Sequence, residues 1–172
     1  MFSFFKKNQQ GKVLEVPKRD KGNFGFQLEL RPHTVDNFFT VKLPTEFIPY
    51  ESDKFRAKTE DGKKTISITN FQKTWNGETI NKEFFEDLKL DTYNAFVNEG
   101  GYEPYDDLKA TDEFIRRSFK VDRETQYYFT SARIINGNIV CTDFIVRELG
   151  GYNRIIMPML EIINNSIEYA SA

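Results

Sequence analysis

The chain has 172 residues, a net charge of −2 and 29% charged residues, a length that predicts a single domain burying about 70% of its surface. It holds 26 aromatic rings (17 Phe, 8 Tyr, one Trp) but a single His and a single Cys, which excludes an intrachain disulfide and a multi-cysteine zinc site. Any catalysis would have to draw on carboxylates, Lys and Tyr, since most nucleophile and acid–base sets need a tuned His or thiolate.

Residues 1–22 carry six Lys or Arg against Glu15 and Asp20, a surplus of +4, whereas residues 23–172 carry 18 basic and 24 acidic groups. With Gly11, Pro17 and Gly22, the first segment reads as a basic polar tail or linker and residues 23–172 as one domain. The start, Met1-Phe2-Ser3-Phe4-Phe5-Lys6-Lys7, places charge after the apolar residues, the reverse of a secretory signal. No stretch approaches the roughly 20 apolar residues of a membrane span. The expected location is cytoplasmic.

Phe24, Phe26, Leu28 and Leu30 alternate with Gly25, Gln27 and Glu29, which predicts a half-buried strand ended by Arg31-Pro32. Phe39, Val41 and Leu43 predict a second strand closed by Pro44, and residues 45–53 a loop. Lys54 to Lys58, the turn Glu60-Asp61-Gly62-Lys63 and the β-branched run Thr65 to Thr69 predict a hairpin. Trp75-Asn76-Gly77 then opens a connection, its ring read as a cap on the core.

A helix over about 81–98 follows. Asn81 is its N-cap, and Ile80 and Phe85 stand at the positions of a hydrophobic staple. Phe85, Leu88, Thr92 and Phe96 form the stripe, and Gly100-Gly101 the stop. Beyond an acidic, irregular stretch, Gln126 to Ile135 and Ile139 to Glu148 flank Asn136-Gly137-Asn138, a hairpin signal because both central residues tolerate positive φ. A two-residue turn sets Phe129 opposite Phe144 and a three-residue turn sets Thr130 there; the sequence does not choose. After Gly150-Gly151, the stripe Ile156, Met159, Leu160, Ile163, Ile167 and Ala170 predicts a helix over about 154–169 with Pro158 in its first turn. Gly-Gly-Tyr occurs at 100–102 and at 150–152. The order predicts an α+β fold, a mostly antiparallel sheet packed by two main helices.

The strand Phe39-Thr40-Val41-Lys42-Leu43-Pro44, the alternating run Thr65 to Phe71, the hairpin carrying Tyr127-Tyr128-Phe129-Thr130 and Thr142-Asp143-Phe144, and the closing Ile162-Ile163-Asn164-Asn165-Ser166-Ile167 make a succession that resembles the PsbP-like superfamily. These are small α/β/α sandwich proteins, among them PsbP, small Ran-GTPase-binding proteins and bacterial DcrB-type proteins. The resemblance spans about residues 36–170 and is one of pattern. It implies a non-enzymatic module that binds other proteins, and it carries over no catalytic residue. The chain departs from the exported members in lacking their leader, so their compartment is not carried over.

His33, in Arg31-Pro32-His33-Thr34, has no orienting partner nearby and reads as a surface loop residue. Cys141 lies in a strand run and reads as a buried thiol. Arg116-Arg117-Ser118-Phe119-Lys120 is the one basic–aromatic cluster in the body, set against an acidic surround that opposes nucleic-acid binding. Residues 99–113 mix acids with tyrosines but fit no calcium-loop pattern. Tyr102, Glu103, Tyr105, Asp106 and Asp107 are the candidate partner-binding residues, because Tyr offers contact area at low entropic cost beside charge that suits a basic partner. The expected function is a non-enzymatic protein-binding module of a small cytoplasmic bacterial protein, accessory or immunity-like, with no cofactor and no metal. The alternatives are a small-molecule or lipid-binding module with an aromatic-lined cavity, and an enzyme using Tyr, Asp and Lys.

Overall fold

The computed structural model describes residues 12–15, 27–74, 82–98 and 100–170. Phe24, Phe26, the N-cap Asn81, the staple residue Ile80 and Trp75-Asn76-Gly77 lie outside them.

Among the described residues, twelve strands and two helices follow in the order β1 (Lys12–Glu15), β2 (Gln27–Val35), β3 (Phe39–Pro44), β4 (Ile48–Tyr50), β5 (Phe55–Lys58), β6 (Lys64–Thr74), α1 (Lys82–Asn98), β7 (Glu103–Pro104), β8 (Lys109–Ala110), β9 (Phe114–Val121), β10 (Glu124–Ile135), β11 (Asn138–Leu149), α2 (Ile156–Asn165) and β12 (Glu168–Tyr169). All described pairings are antiparallel. One sheet has four strands in the order β1-β2-β3-β12; the other has eight, β4-β5-β6-β11-β10-β9-β7, with β8 also on β9. The fold is α+β and dominated by sheet.

Alternation along β10 and β11 divides the larger sheet into two faces. Tyr127, Phe129, Phe144 and Val146 point to a core shared with β2, β3 and α2, where Val35, Phe39, Val41, Leu43, Met159, Leu160 and Ile163 are buried. Tyr128 points to the opposite face and joins Ile115 and Phe119 under Tyr93 and Phe96 of α1. Each fully buried ring contributes roughly 1.5–3 kcal/mol relative to exposure. The hairpin turn is Asn136-Gly137, with φ of 49° and 73°, and this two-residue turn sets Phe129 opposite Phe144.

Several expectations are corrected. Pro32 does not end β2, which runs on to Val35. Leu30 is the last residue of β2 paired with β1, so Pro32 lies where the strand has one described neighbour and a missing N–H breaks no ladder there. His33 therefore sits within a strand, half-buried with its ring 6.0 Å from Phe55, and not in a loop. The presumed loop 45–53 contains β4, an edge strand. Strand β9 was not expected at all. The second helix stops at Asn165 rather than 169. Ser166 ends it, its hydroxyl donating to Ile163 O at 2.6 Å and accepting the Lys42 N–H at 2.9 Å, and the chain then extends into β12 beside β3. Ile167 stays buried, whereas Ala170 is exposed.

Candidate functional site

The segment between α1 and β9 carries the predicted residues, and the structure separates them. Gly100 and Gly101, both at positive φ, turn the chain back along the sheet edge. Tyr102 packs inward, stacked on Phe96 at 4.7 Å and against Phe119 at 5.3 Å. Glu103 is exposed and pairs with Lys120 at 3.7 Å across β7 and β9. Tyr105 is 43% exposed and Asp107 is exposed as well.

Asp106 is half-buried and bridges back to β9. Its Oδ1 accepts the Ser118 N–H at 2.7 Å, its Oδ2 accepts the Ser118 hydroxyl at 3.0 Å, and its carbonyl accepts Arg117 Nε at 2.9 Å. A carboxylate thus takes the N–H that a further strand would otherwise claim. The far end of the segment is held too. Lys89 of α1 is fully buried, and its ammonium donates to Thr111 O at 2.6 Å and Asp112 O at 2.7 Å. Burial lowers its pKa.

Next to the first of these anchors, Tyr105 leans on a residue from the turn after β11. Its ring lies 5.7 Å from Tyr152, which is 42% exposed and lies 6.0 Å from the buried Tyr127. The Tyr127 hydroxyl accepts the Asn153 N–H at 2.6 Å, which fixes the strand-to-helix turn; burial pushes its pKa up to about 12, so it remains a neutral phenol. The result is a two-ring ridge with Glu103 and Asp107 nearby in sequence. Tyr102, in contrast, belongs to the core.

Sequence reasoning missed Tyr152 and Lys89. The repeated Gly-Gly-Tyr pointed at Tyr152, yet its two tyrosines have opposite fates, Tyr102 inward and Tyr152 outward. Lys89 stands one turn after Phe85 and one before Tyr93, inside the apolar stripe, and that spacing was a usable signal.

A second set of polar groups lies on the face that α1 partly covers. Tyr128 is buried, and its hydroxyl donates to Asp143 Oδ1 at 3.3 Å. Burial raises the pKa of Asp143, with the Thr130 and Tyr128 hydroxyls acting in the opposite direction. Cys141 is buried beside them, and burial, with Asp143 adding to it, pushes its thiol up to about 12. A thiol held protonated is a poor nucleophile. Among the described residues no group of three or more His, Cys, Asp or Glu could hold a metal ion, and no helix is long and apolar enough to cross a membrane.

No protein-family model matches the sequence, and no curated protein matches it either. Among solved structures the chain is similar to LpqN, involved in cell envelope biogenesis of Mycobacterium tuberculosis, with a TM-score of 0.56 and 13% identity over 95% of this chain and 93% of that one. The likeness is one of fold. At this identity it transfers no residue role.

Proposed function

We propose that the chain is a non-enzymatic protein-binding module whose contact surface is the Tyr105–Tyr152 ridge with Glu103 and Asp107. One observation carries this reading: the ridge is fixed at its base and open at its top. Asp106, next to Tyr105, ties the segment to β9 and Lys89 holds its far end, while both rings keep about two-fifths of their surface exposed. Rings held in place before binding lose little entropy on contact, which is how Tyr becomes an interface anchor. The acids beside the rings suit a partner presenting Lys or Arg. The PsbP-like resemblance, whose members bind proteins, supports the same reading, and the likeness to LpqN, a protein involved in cell envelope biogenesis, supports only its accessory part. An accessory or immunity-like role in a bacterial cytoplasm is part of the proposal.

The ligand-cavity alternative has less support at the place where it was expected. The aromatic space between α1 and the sheet is occupied by its own rings, with Phe96 stacked on Tyr128 at 4.4 Å and on Tyr102 at 4.7 Å.

The test is affinity capture from cells that express the protein, comparing the wild type with a Tyr105→Ala/Tyr152→Ala variant of unchanged circular dichroism and melting temperature. A partner held by the wild type should bind the variant at least about 30-fold more weakly, the loss expected of a hot-spot tyrosine. Retention of every partner by the variant removes the ridge from the proposal. A wild type that captures nothing above a tag-only control removes the module reading itself.

A further inference from the structure

Helix α1 packs on β9 and β10, and the sheet continues past it through β11 and β6. At that border Thr130, Asp143 and Thr69 stand in register on three neighbouring strands, about 4.8 Å from strand to strand. All three share the face of Tyr128, because partners directly opposite in a ladder project to the same side. Asp143 and Thr69 are half-buried, Thr130 is fully buried, and Phe71, opposite Cys141 one row along, is 57% exposed.

Two features of this row are unusual. Asp143 is a largely desolvated acid, and among the described residues no Lys or Arg pairs with it; its hydrogen bond comes from the neutral Tyr128 hydroxyl. Acids in such positions are ordinarily ion-paired. The Thr130 hydroxyl is buried and faces the carboxyl from the opposing position, yet it makes no hydrogen bond of ordinary geometry. A carboxylate lacking a cation thus lies beside a hydroxyl that engages it without a hydrogen bond of ordinary geometry.

The chemistry that would satisfy both can be narrowed. A divalent cation collects several carboxylates, and only one is present here. A primary ammonium carries one charge and three donors, and the row offers a carboxylate flanked by two hydroxyl oxygens. An exposed ring one row away gives an alkyl stem a surface to lie on and a cation a π-face. We propose that the Thr130–Asp143–Thr69 row is a binding site for a primary ammonium group, carried either by a small alkylamine or by the lysine side chain of a peptide. The raised pKa of Asp143 agrees with an acid whose charge is uncompensated until a cation arrives.

The test is an NMR titration of the full chain with n-butylammonium chloride, with the lysine peptide Nα-acetyl-lysine amide, and with tetramethylammonium chloride at matched ionic strength. The last has the charge but no N–H donor. Saturable shifts at residues 69, 130 and 143 are expected with at least one of the first two and not with the third. Binding by butylammonium identifies a small-amine site; binding by the peptide alone identifies a lysine receptor. Asp143→Asn should weaken binding by about tenfold or more, the loss expected when a charge-assisted bond becomes neutral. Thr130→Val, which deletes a hydroxyl that makes no hydrogen bond of ordinary geometry, should weaken it by a smaller factor without disturbing the fold. An equal response to tetramethylammonium, or undiminished binding by Asp143→Asn, overturns the proposal. So does a fall in the melting temperature of Asp143→Asn at pH 7. Removing an uncompensated charge should raise that temperature, and a fall would mean that the acid is already paired within the chain.

Discussion

Lys89→Met is the substitution that most directly tests how the far end of the segment that carries the ridge is held. Methionine keeps the length of the stem and its place between Phe85 and Tyr93 but removes the ammonium. Two carbonyls, Thr111 O and Asp112 O, then lose donors at 2.6 and 2.7 Å. An orphaned buried acceptor costs about 1–3 kcal/mol, so the two together cost about 2–6. Against this stands the desolvation of the ammonium, which the variant no longer bears. That desolvation is felt in the wild type, because burial lowers the pKa of Lys89 despite nearby Glu86 and Asp112 acting to raise it. The carbonyls lie near the turn after β8, where water can reach part of them, and the net expectation is a loss of about 2–3 kcal/mol. For a chain of this size that is a fall of about 5–10 °C in melting temperature. Urea unfolding followed by circular dichroism measures it, and hydrogen exchange at residues 111–114 should quicken more than at β10. The pH dependence gives an independent check. A lysine whose folded pKa lies below its unfolded value holds fewer protons folded than unfolded in the window between the two. Wild-type stability should therefore gain as pH rises through that window towards 10.5, and Lys89→Met should lack the gain. A variant within about 0.5 kcal/mol of wild type, with unchanged exchange at 111–114, would refute the anchor.

Three further outcomes are expected. Asp106→Ala should lose about 2–3 kcal/mol, because the buried Ser118 N–H is left without an acceptor, and light scattering should show association through the opened edge of β9. Gly137→Ala should lose about 1–2 kcal/mol in urea unfolding, since Gly137 has φ of 73° and a Cβ there is strained; an unchanged midpoint would mean that the hairpin tolerates another turn. Burial, with the charge of Arg31 adding to it, lowers the pKa of His33, so the unfolded chain holds more protons just below pH 6.5 and stability should fall as pH drops through that window. His33→Gln should flatten this part of the stability curve, and an unchanged slope would place the titration elsewhere.

The β10–β11 hairpin was legible because its information is local. Two residues that accept positive φ sit between two long β-branched and aromatic runs, and only the register needed the structure. Strand β9 was illegible for a definite reason. Its burial runs in pairs, Phe114-Ile115 and Ser118-Phe119 buried around the half-buried Arg116-Arg117, because α1 covers one face and the core around α2 lies against the other. A strand covered on both faces loses the period-two signal, and the arginines then read as a basic cluster. Arg116 in fact faces Glu161 of α2 at 3.2 Å, and Arg117 donates to Asp106 O and Tyr93 Oη. The end of α2 failed differently. Ile167 falls on the helical stripe, but Ser166 has already turned the chain, and its partner Lys42 lies 124 residues away. The acidic segment was correctly seen as aromatic and charged, while the inward turn of Tyr102 and the bonding of Asp106 depend on β9, the strand that was not foreseen.

The sheet edges bear on how this molecule can meet another. An open strand edge invites a partner to add a strand. At β9 the N–H of Ser118 is taken by a carboxylate, between the short pairings with β7 and β8. At β3 the pairing with β12 covers only Phe39 and Thr40, and the next outward N–H, that of Lys42, is taken by the Ser166 hydroxyl. The edge strand β4 carries Pro49, which has no N–H to offer. Three edges in the two sheets are thus closed by side chains or by proline. A partner arriving at any of them would meet side chains before backbone, and at β9 the side chains it would meet are Tyr105 and Tyr152. The same aspartate that closes the β9 edge holds the ridge in position, so Asp106→Ala should both raise association and weaken specific capture. A variant that changed one without the other would separate the two roles.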